Sequence, residues 1–333
     1  MPRALIIGGT GQIGRAVGRR LLAARWQVVC AQRDPSRLGD LPGLAGAQAL
    51  PLDRDSPGEL EAILAAGFDL VVDTVAYTGD HARQLLGGEA DVGQFVVISS
   101  GSVYRDDEGR SLDEADERGF PEFPPAISET QPTVEAGPAT YSTRKVALEQ
   151  TLLQGARRPV TILRPFAIHG EGTGHCREWF FVRRMLDGRA RIPLAWGGES
   201  RFQTTSSGNI AELVSLCAAS PGTRVLNVAD ADSPSVVEIG RTIAGLYGAS
   251  PAFALLDGPP RKGVGGTPWS VSRPIIADLS RALSLGLKPT TYAQEVETAC
   301  RSAEARAAAG LPFMGYLDQM FDYAAEDRLL DSL

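Results

Sequence analysis

The sequence is poor in lysine and cysteine and has no long apolar run. Only Lys145, Lys262 and Lys288 are lysines, whereas 30 of the 33 basic residues are arginines. The four cysteines stand far apart without a C-x-x-C pair, which argues against a disulfide framework and against a zinc knuckle. No stretch approaches the roughly 18 apolar residues of a membrane span, and no basic leader with a long apolar stretch precedes the first predicted strand. We therefore expect a soluble, cytoplasmic protein of a reducing compartment.

An excess of positive charge is also missing. The chain has 33 basic and 40 acidic residues and a net charge of −7. This sign argues against nucleic acid or an anionic membrane as the main partner, although a local basic patch stays open. Ten acids and two arginines lie within residues 106–135, which are rich in proline and glycine and have no sustained periodicity. We expect this acidic segment to be a surface excursion.

The order of apolar patterns predicts an α/β fold. In the first half of the chain, short β-type runs alternate with helical patterns, as in βαβ units with a parallel sheet. We therefore predict a doubly wound parallel sheet. The predicted strands are residues 3–7, 27–31, 47–50, 70–75, 95–99, 160–163 and 224–228. The predicted helices are residues 12–24, 58–66, 81–86, 141–154, 209–219 and 235–247, and residues 258–266 are expected to form a loop.

A glycine turn lies at the first junction between strand and helix. The segment Gly8-Gly9-Thr10-Gly11-Gln12-Ile13-Gly14 directly follows a predicted strand and opens a predicted helix. Gly8 would allow a positive φ, Gly11 would let a pyrophosphate approach the backbone, and Gly14 would let the helix pack on the strand. Backbone N–H groups and the helix dipole would then hold the negative charge. This position favours a dinucleotide site over an ordinary tight turn.

The end of the second predicted strand bears on which dinucleotide binds. Folds that prefer NAD usually place an acid here for the ribose hydroxyls, whereas an arginine suits the 2′-phosphate of NADP. This chain has Gln32 and Arg33, which favours NADP(H) over NAD. A solvated arginine at a strand end is the alternative. Asp53, after the third predicted strand, is either a contact of the adenine amino group or an ordinary loop residue.

A tyrosine and a lysine share one face of a predicted helix. Tyr141-Ser142-Thr143-Arg144-Lys145 begins this helix, so the first and last of these side chains project together. In a chain that otherwise uses arginine, a lysine at this position indicates chemistry. A nearby ammonium would lower the pKa of Tyr141. The hydroxyl could then act as a general acid or base on a carbonyl or an alcohol.

Four segments carry a family resemblance by their order and spacing. They are the glycine turn, Ser99-Ser100-Gly101-Ser102-Val103-Tyr104, the Tyr141 to Lys145 segment, and Leu163-Arg164-Pro165. Together they resemble the extended short-chain dehydrogenase/reductases, the NAD-dependent epimerase/dehydratase family, over about residues 3–300.

The resemblance implies a Rossmann domain and a smaller C-terminal substrate-binding lobe. The division we expect is 1–165 with 203–229 returning to it for the Rossmann domain, and 166–202 with 230–333 for the lobe. Members of the family often dimerise, so a homodimer is an open expectation. Residues 321–327, which mix aromatic and acidic side chains, either cover the lobe or meet a second subunit.

The resemblance also implies roles for individual residues. Tyr141 matches the catalytic acid/base, and Lys145 matches its partner that also holds the nicotinamide ribose. Ser100 matches the hydroxyl that polarises the substrate oxygen, with Ser102 as the alternative. Arg201 resembles the arginine that grips a nucleotide-sugar diphosphate, or it simply caps its own segment. With the turn and the strand end included, the predicted cofactor contacts are Gly8, Thr10, Gly11, Gln12, Ile13, Gly14, Arg33, Asp53, Arg54, Val75, Ala76, Tyr77, Tyr141, Lys145 and Phe166.

Three positions depart from the family pattern. Ala167 stands where nucleotide-sugar epimerases often carry asparagine, and Asn209 replaces the usual aspartate before a helix. Ile168-His169-Gly170 replaces Val-Tyr-Gly, and we expect His169 to be a packed loop residue, with a substrate contact as the alternative. These departures weaken the case for a UDP-sugar substrate and leave the hydride chemistry intact.

The function indicated is NAD(P)-dependent hydride transfer at a secondary alcohol or ketone of a small molecule. The family pattern favours transient oxidation with hydride return, which gives epimerisation or dehydration of a nucleotide-sugar-like substrate. Arg33 favours the alternative, net reduction of a carbonyl by NADPH. A hypothesis of another class is a redox sensor or nucleic-acid-associated protein that binds a dinucleotide without turnover, and the pair of Tyr141 and Lys145 argues against it. No metal site is predicted.

Overall fold

Buried apolar runs form the main strands of this protein. The computed structural model describes residues 1–333. The central strands are buried along their whole length, which explains why they are continuous runs of Val, Ile and Leu rather than alternating patterns. The strands are β1 (Arg3–Ile7), β2 (Gln27–Gln32), β3 (Gln48–Pro51), β4 (Leu70–Asp73), β5 (Phe95–Ile98), β6 (Val160–Pro165), β7 (Ala167–His169), β8 (Arg191–Leu194), β9 (Thr204–Ser206), β10 (Arg224–Val228) and β11 (Ala252–Leu255).

Seven of these strands form one parallel sheet. Its order is β3-β2-β1-β4-β5-β6-β10, so the winding direction reverses between β1 and β4. Ligands of such sheets bind outside the carboxyl ends of the strands at this reversal. The predicted doubly wound Rossmann fold is confirmed. β10 joins the sheet beside β6, although a long segment of chain separates the two strands.

Helices cover both faces of the sheet. They are α1 (Gln12–Ala23), α2 (Glu59–Leu64), α3 (Gly79–Gly87), α4 (Ala115–Arg118), α5 (Tyr141–Gly155), α6 (Trp179–Leu186), α7 (Ser207–Ala219), α8 (Val236–Leu246), α9 (Ser280–Ser284), α10 (Tyr292–Ala308), α11 (Gly315–Asp318) and α12 (Tyr323–Leu330). Alternate residues of β1 point to opposite faces, so Ala4 and Ile6 join one core while Leu5 and Ile7 join the other. The first core includes residues of α1 and α7, and the second includes residues of α2, α3 and α5.

A separate apolar core lies in the C-terminal half of the chain. It is built around α6, α8 and α10, and two short parallel sheets, β7 with β9 and β8 with β11, belong to the same half. The C-terminal segment covers this lobe, the first of the two alternatives: Phe321 packs near Phe180, and the buried Arg184 lies against both rings. Arg184 also forms an ion pair with Glu326 of α12.

The acidic segment contains the short helix α4 and is otherwise mostly irregular, and it is tied to the molecule at several points. Asp106 is buried and accepts hydrogen bonds from the backbone N–H groups of Arg110 and Glu122. Ile127 is buried and pairs with Ala277 in an isolated bridge. A large part of the negative charge of this chain is therefore held in a fixed excursion beside α5.

The predicted strands and helices of the first half match the observed ones within about two residues at most ends. The prediction missed α6. It also missed the strands β7, β8, β9 and β11, because runs of three or four residues show no usable periodicity. All four cysteines are buried, and none of them forms a disulfide. No helix is both long enough and apolar enough to cross a membrane.

Candidate active site

The glycine turn has the local geometry that its sequence predicts. Gly8 has a φ of +85°, and its N–H donates to the carbonyl oxygen of Ala31 at 2.8 Å. A Cβ atom on Gly14 would overlap the carbonyl oxygen of Gly8. A side chain at Gly14 would therefore push α1 away from the turn, and a side chain at Gly8 would overlap Thr74 and Val75, which follow β4.

The first turn of α1 is free to hold an anion. The helix is capped by Gly11, which has no side chain to accept from the first N–H groups, and its first turn contains no acidic residue. These N–H groups and the helix dipole favour negative charge at this point. The start of α1 lies at the carboxyl end of β1, next to the reversal of the sheet.

A cavity of about 550 Å³ adjoins this turn. We call it the turn cavity. Its lining includes Gly8, Thr10 and Gly11 of the glycine turn, together with side chains from the ends of β2, β3 and β4. The residues that line it are Ile7, Gly8, Thr10, Gly11, Ala31, Gln32, Arg33, Asp34, Arg37, Leu52, Asp53, Arg54, Asp55, Val75 and His81.

Polar groups without protein partners point to a ligand in the turn cavity. Gln32 is 8 % exposed, and neither its amide nitrogen nor its amide oxygen has a hydrogen-bond partner. Such groups are costly to bury unless something satisfies them. Arg33 lines the same wall as predicted. Arg37, which the sequence reasoning missed, lies one turn further along the chain.

Asp53 and Arg54 both line the turn cavity but are held differently. The guanidinium of Arg54 forms an ion pair with the buried Asp73 at 2.8 Å and donates to Gln84. Asp53 accepts from the backbone N–H of Asp55. Arg54 thus has a structural partner of its own. The adenine-side roles of both residues stay predictions.

A second cavity of about 400 Å³ lies on the other side of the glycine turn, and we call it the tyrosine cavity. Gly11 lines the turn cavity, whereas the next residue, Gln12, lines this one. The residues that line it are Gln12, Tyr77, Ser99, Ser100, Ser102, Tyr141, Pro165, Phe166, Ile168, Thr173, His175, Arg177 and Phe202.

The start of α5 places Tyr141 and Lys145 beside this cavity. Thr140 and Thr143 form a reciprocal capping box, so α5 begins at Tyr141. Lys145 is 2 % exposed and donates to the carbonyl oxygens of Ala76 at 2.6 Å and Ile98 at 2.9 Å. Ala76 follows the end of β4 and Ile98 is the last residue of β5, so the lysine is fixed against the edge of the sheet.

Further contacts connect Lys145 to the cavity wall. Its Nζ lies 4.5 Å from the ring centre of Tyr77 and 5.7 Å from that of Tyr141. Arg164, from the fourth matching segment, forms a buried ion pair with Glu149 of α5. This pair holds α5 against β6, so Arg164 positions the helix that carries Tyr141.

The expected lowering of the tyrosine pKa is wrong. Desolvation raises the pKa of Tyr141 to about 12, while the hydroxyl of Ser100 acts in the opposite direction. Burial also lowers the pKa of Lys145 to about 8, against the nearby Asp73 and Glu149. The prediction for Tyr141 is wrong because Lys145 directs its ammonium to two backbone carbonyls and not to the phenol. The phenol of Tyr141 is therefore protonated at neutral pH.

Three serine hydroxyls follow one another along the cavity. Ser100 Oγ lies 2.9 Å from Ser102 Oγ, which accepts from Ser142 Oγ at 3.0 Å. The backbone N–H of Ser142 donates to Asp113 of the acidic segment at 2.8 Å. Ser100 and Ser102 both line the cavity, so either hydroxyl is placed to meet a substrate oxygen.

Of six further predicted residues, three line the cavities and three do not. Val75 lines the turn cavity, and Tyr77 and Phe166 line the tyrosine cavity. Ala76 is buried and contributes the carbonyl that holds Lys145. Ile13 is partly buried and packs against the core beneath α1. Arg201 lines neither of the two cavities.

Arg201 is occupied within its own segment. Its guanidinium donates to the carbonyl oxygen of Ser233 and lies 3.3 Å from Glu238 and 3.8 Å from Glu199. This geometry corresponds to the capping alternative. The arginine in the wall of the tyrosine cavity is Arg177 instead, and no motif in the sequence singled it out.

His169 packs inside the lobe, as predicted, but it lies in β7 and not in a loop. Its Nε2 lies 2.7 Å from Asp230 Oδ2, both residues are buried, and the ring packs near Tyr292. Asp230 also accepts from Asn209 of α7 at 2.8 Å. Two of the three departures from the family pattern thus meet in one buried network.

The two cavities together fit a nicotinamide dinucleotide. The unpartnered amide of Gln32 lies at one end, the uncapped start of α1 lies at the turn between the cavities, and Tyr141 and Lys145 lie at the other end. This order of adenosine, pyrophosphate and nicotinamide sites is the one that dinucleotide-binding sheets use.

Comparisons with known proteins agree with this geometry. A family model described as NAD(P)H-binding matches residues 8–177. The 2′-dehydrokanamycin reductase of Streptomyces kanamyceticus is 37% identical over 101 residues, a match that spans 29% of this chain and only 27% of that relative.

Solved structures show the same fold at low identity. The UDP-glucuronic acid 4-epimerase of Bacillus cereus, in complex with UDP-glucuronic acid and NAD, is 18% identical with a TM-score of 0.66, and the match covers 91% of this chain and 99% of that one. The UDP-glucose-4-epimerase of Stenotrophomonas maltophila, with NAD and formylated UDP-arabinopyranose bound, is 16% identical with a TM-score of 0.70, over 93% of this chain and 100% of that one.

Proposed function

This chain belongs to the NAD(P)H-binding family and has the fold of the extended short-chain dehydrogenase/reductases, and from this premise we propose that it transfers hydride at a secondary alcohol or ketone. The observation that carries the proposal is the convergence of Tyr141, Ser100 and the buried Lys145 beside one cavity next to the glycine turn. A protein that only bound a dinucleotide would have no use for this arrangement.

The residues divide the chemistry of a ketone reduction among them. A bound nicotinamide supplies the hydride. Tyr141, protonated because its pKa is raised to about 12, gives its proton to the substrate oxygen. The hydroxyl of Ser100 donates to the same oxygen as negative charge develops there. Lys145 holds positive charge behind the two tyrosine rings and stabilises the phenolate that the proton transfer leaves.

We propose NADP(H) as the preferred dinucleotide. Arg33 and Arg37 line the turn cavity, and neither has a carboxylate within ion-pair distance, whereas Arg54 in the same wall is paired with Asp73. Unpaired guanidinium groups suit the 2′-phosphate that distinguishes NADP from NAD. Arg33 is the first residue after β2. The acid that follows it, Asp34, lines the same cavity but accepts hydrogen bonds from the backbone N–H and the hydroxyl of Ser36.

A preference for NADP(H) suits net reduction, in which NADP leaves and NADPH binds in each turnover. Net reduction is therefore our first candidate. Epimerisation with a retained dinucleotide is the second, and it is favoured by the likeness of the fold to NAD-bound epimerases. In both reactions Tyr141 and Ser100 act on the same substrate oxygen. They differ in whether the hydride returns to the substrate before the product leaves.

The test starts with native mass spectrometry of the purified protein, followed by assays with NADPH, NADH and a panel of ketosugars and secondary alcohols. We expect little retained dinucleotide, tighter binding of NADPH than of NADH, and ketone-dependent oxidation of NADPH. Retained NAD with isomerised product and no net change of added nicotinamide would favour epimerisation. Dinucleotide binding with no turnover on any panel member, in wild type and Tyr141→Phe alike, would contradict both.

A further inference from the structure

Two chemically different sets of residues line the tyrosine cavity. Ser100, Ser102 and Tyr141 contribute hydroxyl groups. Thr173, His175 and Arg177 come from the loop between β7 and α6. The proposed reaction uses the first set and leaves the second without a role.

The loop that carries Arg177 is anchored on both sides. Glu171 accepts from Arg15 at 3.0 Å and from Arg19 at 2.5 Å, which ties the loop to α1. The backbone N–H of Gly172 donates to Ser302 of α10 at 2.8 Å. The side chain of Arg177 itself donates to the carbonyl oxygen of Ile168 at 3.3 Å. Arg177 is therefore part of a fixed wall.

Arg177 has no acidic partner in the protein. No carboxylate lies within ion-pair distance of it, whereas Arg201 in the same lobe is shared between Glu199 and Glu238. The adjacent Glu178 is fully buried, and this burial raises its pKa, which favours its neutral form. Burial and the neighbouring Arg177 lower the pKa of His175, which keeps this histidine neutral at neutral pH. The lining of the cavity thus carries one charged side chain, Arg177.

We propose that Arg177 binds an acidic group of the substrate, a carboxylate or a phosphate, in the cavity where Tyr141 meets the reacting oxygen. A guanidinium can donate two parallel hydrogen bonds to either group, which fixes orientation as well as adding affinity. Thr173 and His175 lie in the same wall and can bind neighbouring hydroxyl groups. This inference rests on the proposed hydride transfer and narrows its substrate to acidic hydroxy or keto compounds.

The size of the cavity limits that substrate. About 400 Å³ must hold the nicotinamide ring as well as the reacting part of the substrate, because Tyr141 and Phe166 line the same space. A compact acidic sugar or hydroxy acid meets this limit, with the acid at Arg177 and the secondary alcohol or ketone at Tyr141.

Calorimetric titration of the full-length, NADP-loaded protein tests the proposal without requiring turnover. The probes are D-glucuronate, glucose 6-phosphate and neutral D-glucose. We expect at least one acidic probe to bind more tightly than glucose, and Arg177→Leu to weaken that probe by about 10- to 100-fold, the range of charge-assisted hydrogen bonds. Arg177→Lys should retain part of the preference. The two acidic probes distinguish a carboxylate site from a phosphate site.

Arg241→Leu is the matched control, because Arg241 is an exposed arginine of the same lobe that lies away from the tyrosine cavity and has no ion-pair partner. Thermal unfolding and NADPH titration establish that each variant is folded and loaded. The proposal is overturned if neither acidic probe binds more tightly than glucose, if Arg177→Leu keeps the preference, or if Arg201→Leu alone abolishes it. Turnover of neutral ketones with no acid preference would overturn this inference and leave the proposed hydride transfer standing. Failure to bind NADPH or to turn over any ketone would contradict the proposed hydride transfer itself.

Discussion

The turn cavity and the tyrosine cavity hold positive charge in opposite ways. In the turn cavity, Arg33 and Arg37 are unpaired guanidinium groups on an open wall. Beside the tyrosine cavity, Lys145 is 2 % exposed and bound by two backbone carbonyls. A group that must meet a phosphate benefits from accessibility and permanent charge, whereas a group that adjusts a phenol benefits from a fixed position and a tunable pKa. The first cavity should therefore govern affinity and the second the rate of the chemical step.

Replacement of Tyr141 by Phe should give the largest effect on catalysis. It removes the proton donor and keeps the ring beside Tyr77, so the shape of the cavity is preserved. We expect kcat to fall by about 10²- to 10⁴-fold, the usual contribution of general acid catalysis, with little change in NADPH affinity. Steady-state kinetics on any ketone that the wild type reduces, together with fluorescence titration of NADPH, measures both. An equal loss of NADPH affinity would contradict the assignment of affinity to the turn cavity and of the chemical step to the tyrosine cavity.

The pH dependence of kcat/KM should report the ionisation of Lys145. Its pKa of about 8 means that the ammonium loses its charge as pH rises through that value, while Tyr141, with a pKa near 12, stays protonated. We expect kcat/KM for reduction to be level below about pH 7 and to fall above about pH 8. Lys145→Met should be slower throughout and lack this break. The same break in Lys145→Met would assign it to another group.

The pH dependence of the free energy of unfolding tests the pKa of Lys145 without a substrate. Burial lowers the pKa of Lys145 from 10.5 to about 8, so between these values the unfolded chain binds more protons than the folded one. The burial penalty is therefore present below about pH 8 and disappears as pH rises towards 10.5. Relative to Lys145→Met, the free energy of unfolding should rise by up to about 3 kcal/mol across this window. Denaturant unfolding at several pH values measures it, and a constant difference would contradict the lowered pKa.

Replacement of Arg33 or Arg37 by Ala should change affinity and spare the chemistry. Each loses a charge-assisted contact to the 2′-phosphate, so the preference for NADPH over NADH should fall about tenfold per variant. The rate at saturating NADPH should stay close to that of the wild type. Arg241→Ala removes an equal charge elsewhere and serves as control. An unchanged ratio would refute the role given to these arginines.

Arg201→Ala should have the smallest effect. Its partly exposed ion pairs with Glu199 and Glu238 are of the kind that contributes at most about 1 kcal/mol to stability. We expect kcat/KM to change by less than about threefold. A large rise in KM would instead place Arg201 at the substrate, and kinetics on the same ketone checks this.

Sequence reasoning predicted the local geometry correctly where that geometry depends on short-range spacing. The glycine turn and the pair of Tyr141 and Lys145 lie within single local elements, so their geometry follows from the turn and from one helical period. The central sheet was equally predictable, because its strands are continuous apolar runs separated by helical patterns. The resemblance carried by these segments also led to Ser100.

Residues supplied by loops could not be placed in the same way. Arg177 enters the tyrosine cavity only because Glu171 and Gly172 tie its loop to α1 and α10, and these contacts span more than 100 residues of sequence. The prediction of a lowered pKa for Tyr141 was wrong for a similar reason. Helical spacing sets which residues are neighbours, but the direction of the Lys145 side chain depends on carbonyl groups at the ends of β4 and β5.

One stopped-flow measurement tests the division between the cavities most directly: the NADPH dissociation constant and the single-turnover rate of hydride transfer in the wild type, Tyr141→Phe and Arg33→Ala. We predict that Tyr141→Phe keeps the dissociation constant and loses the rate by about 100-fold or more, whereas Arg33→Ala weakens binding and keeps the rate at saturation. A Tyr141→Phe enzyme that transfers hydride at the wild-type rate would contradict the proposed function.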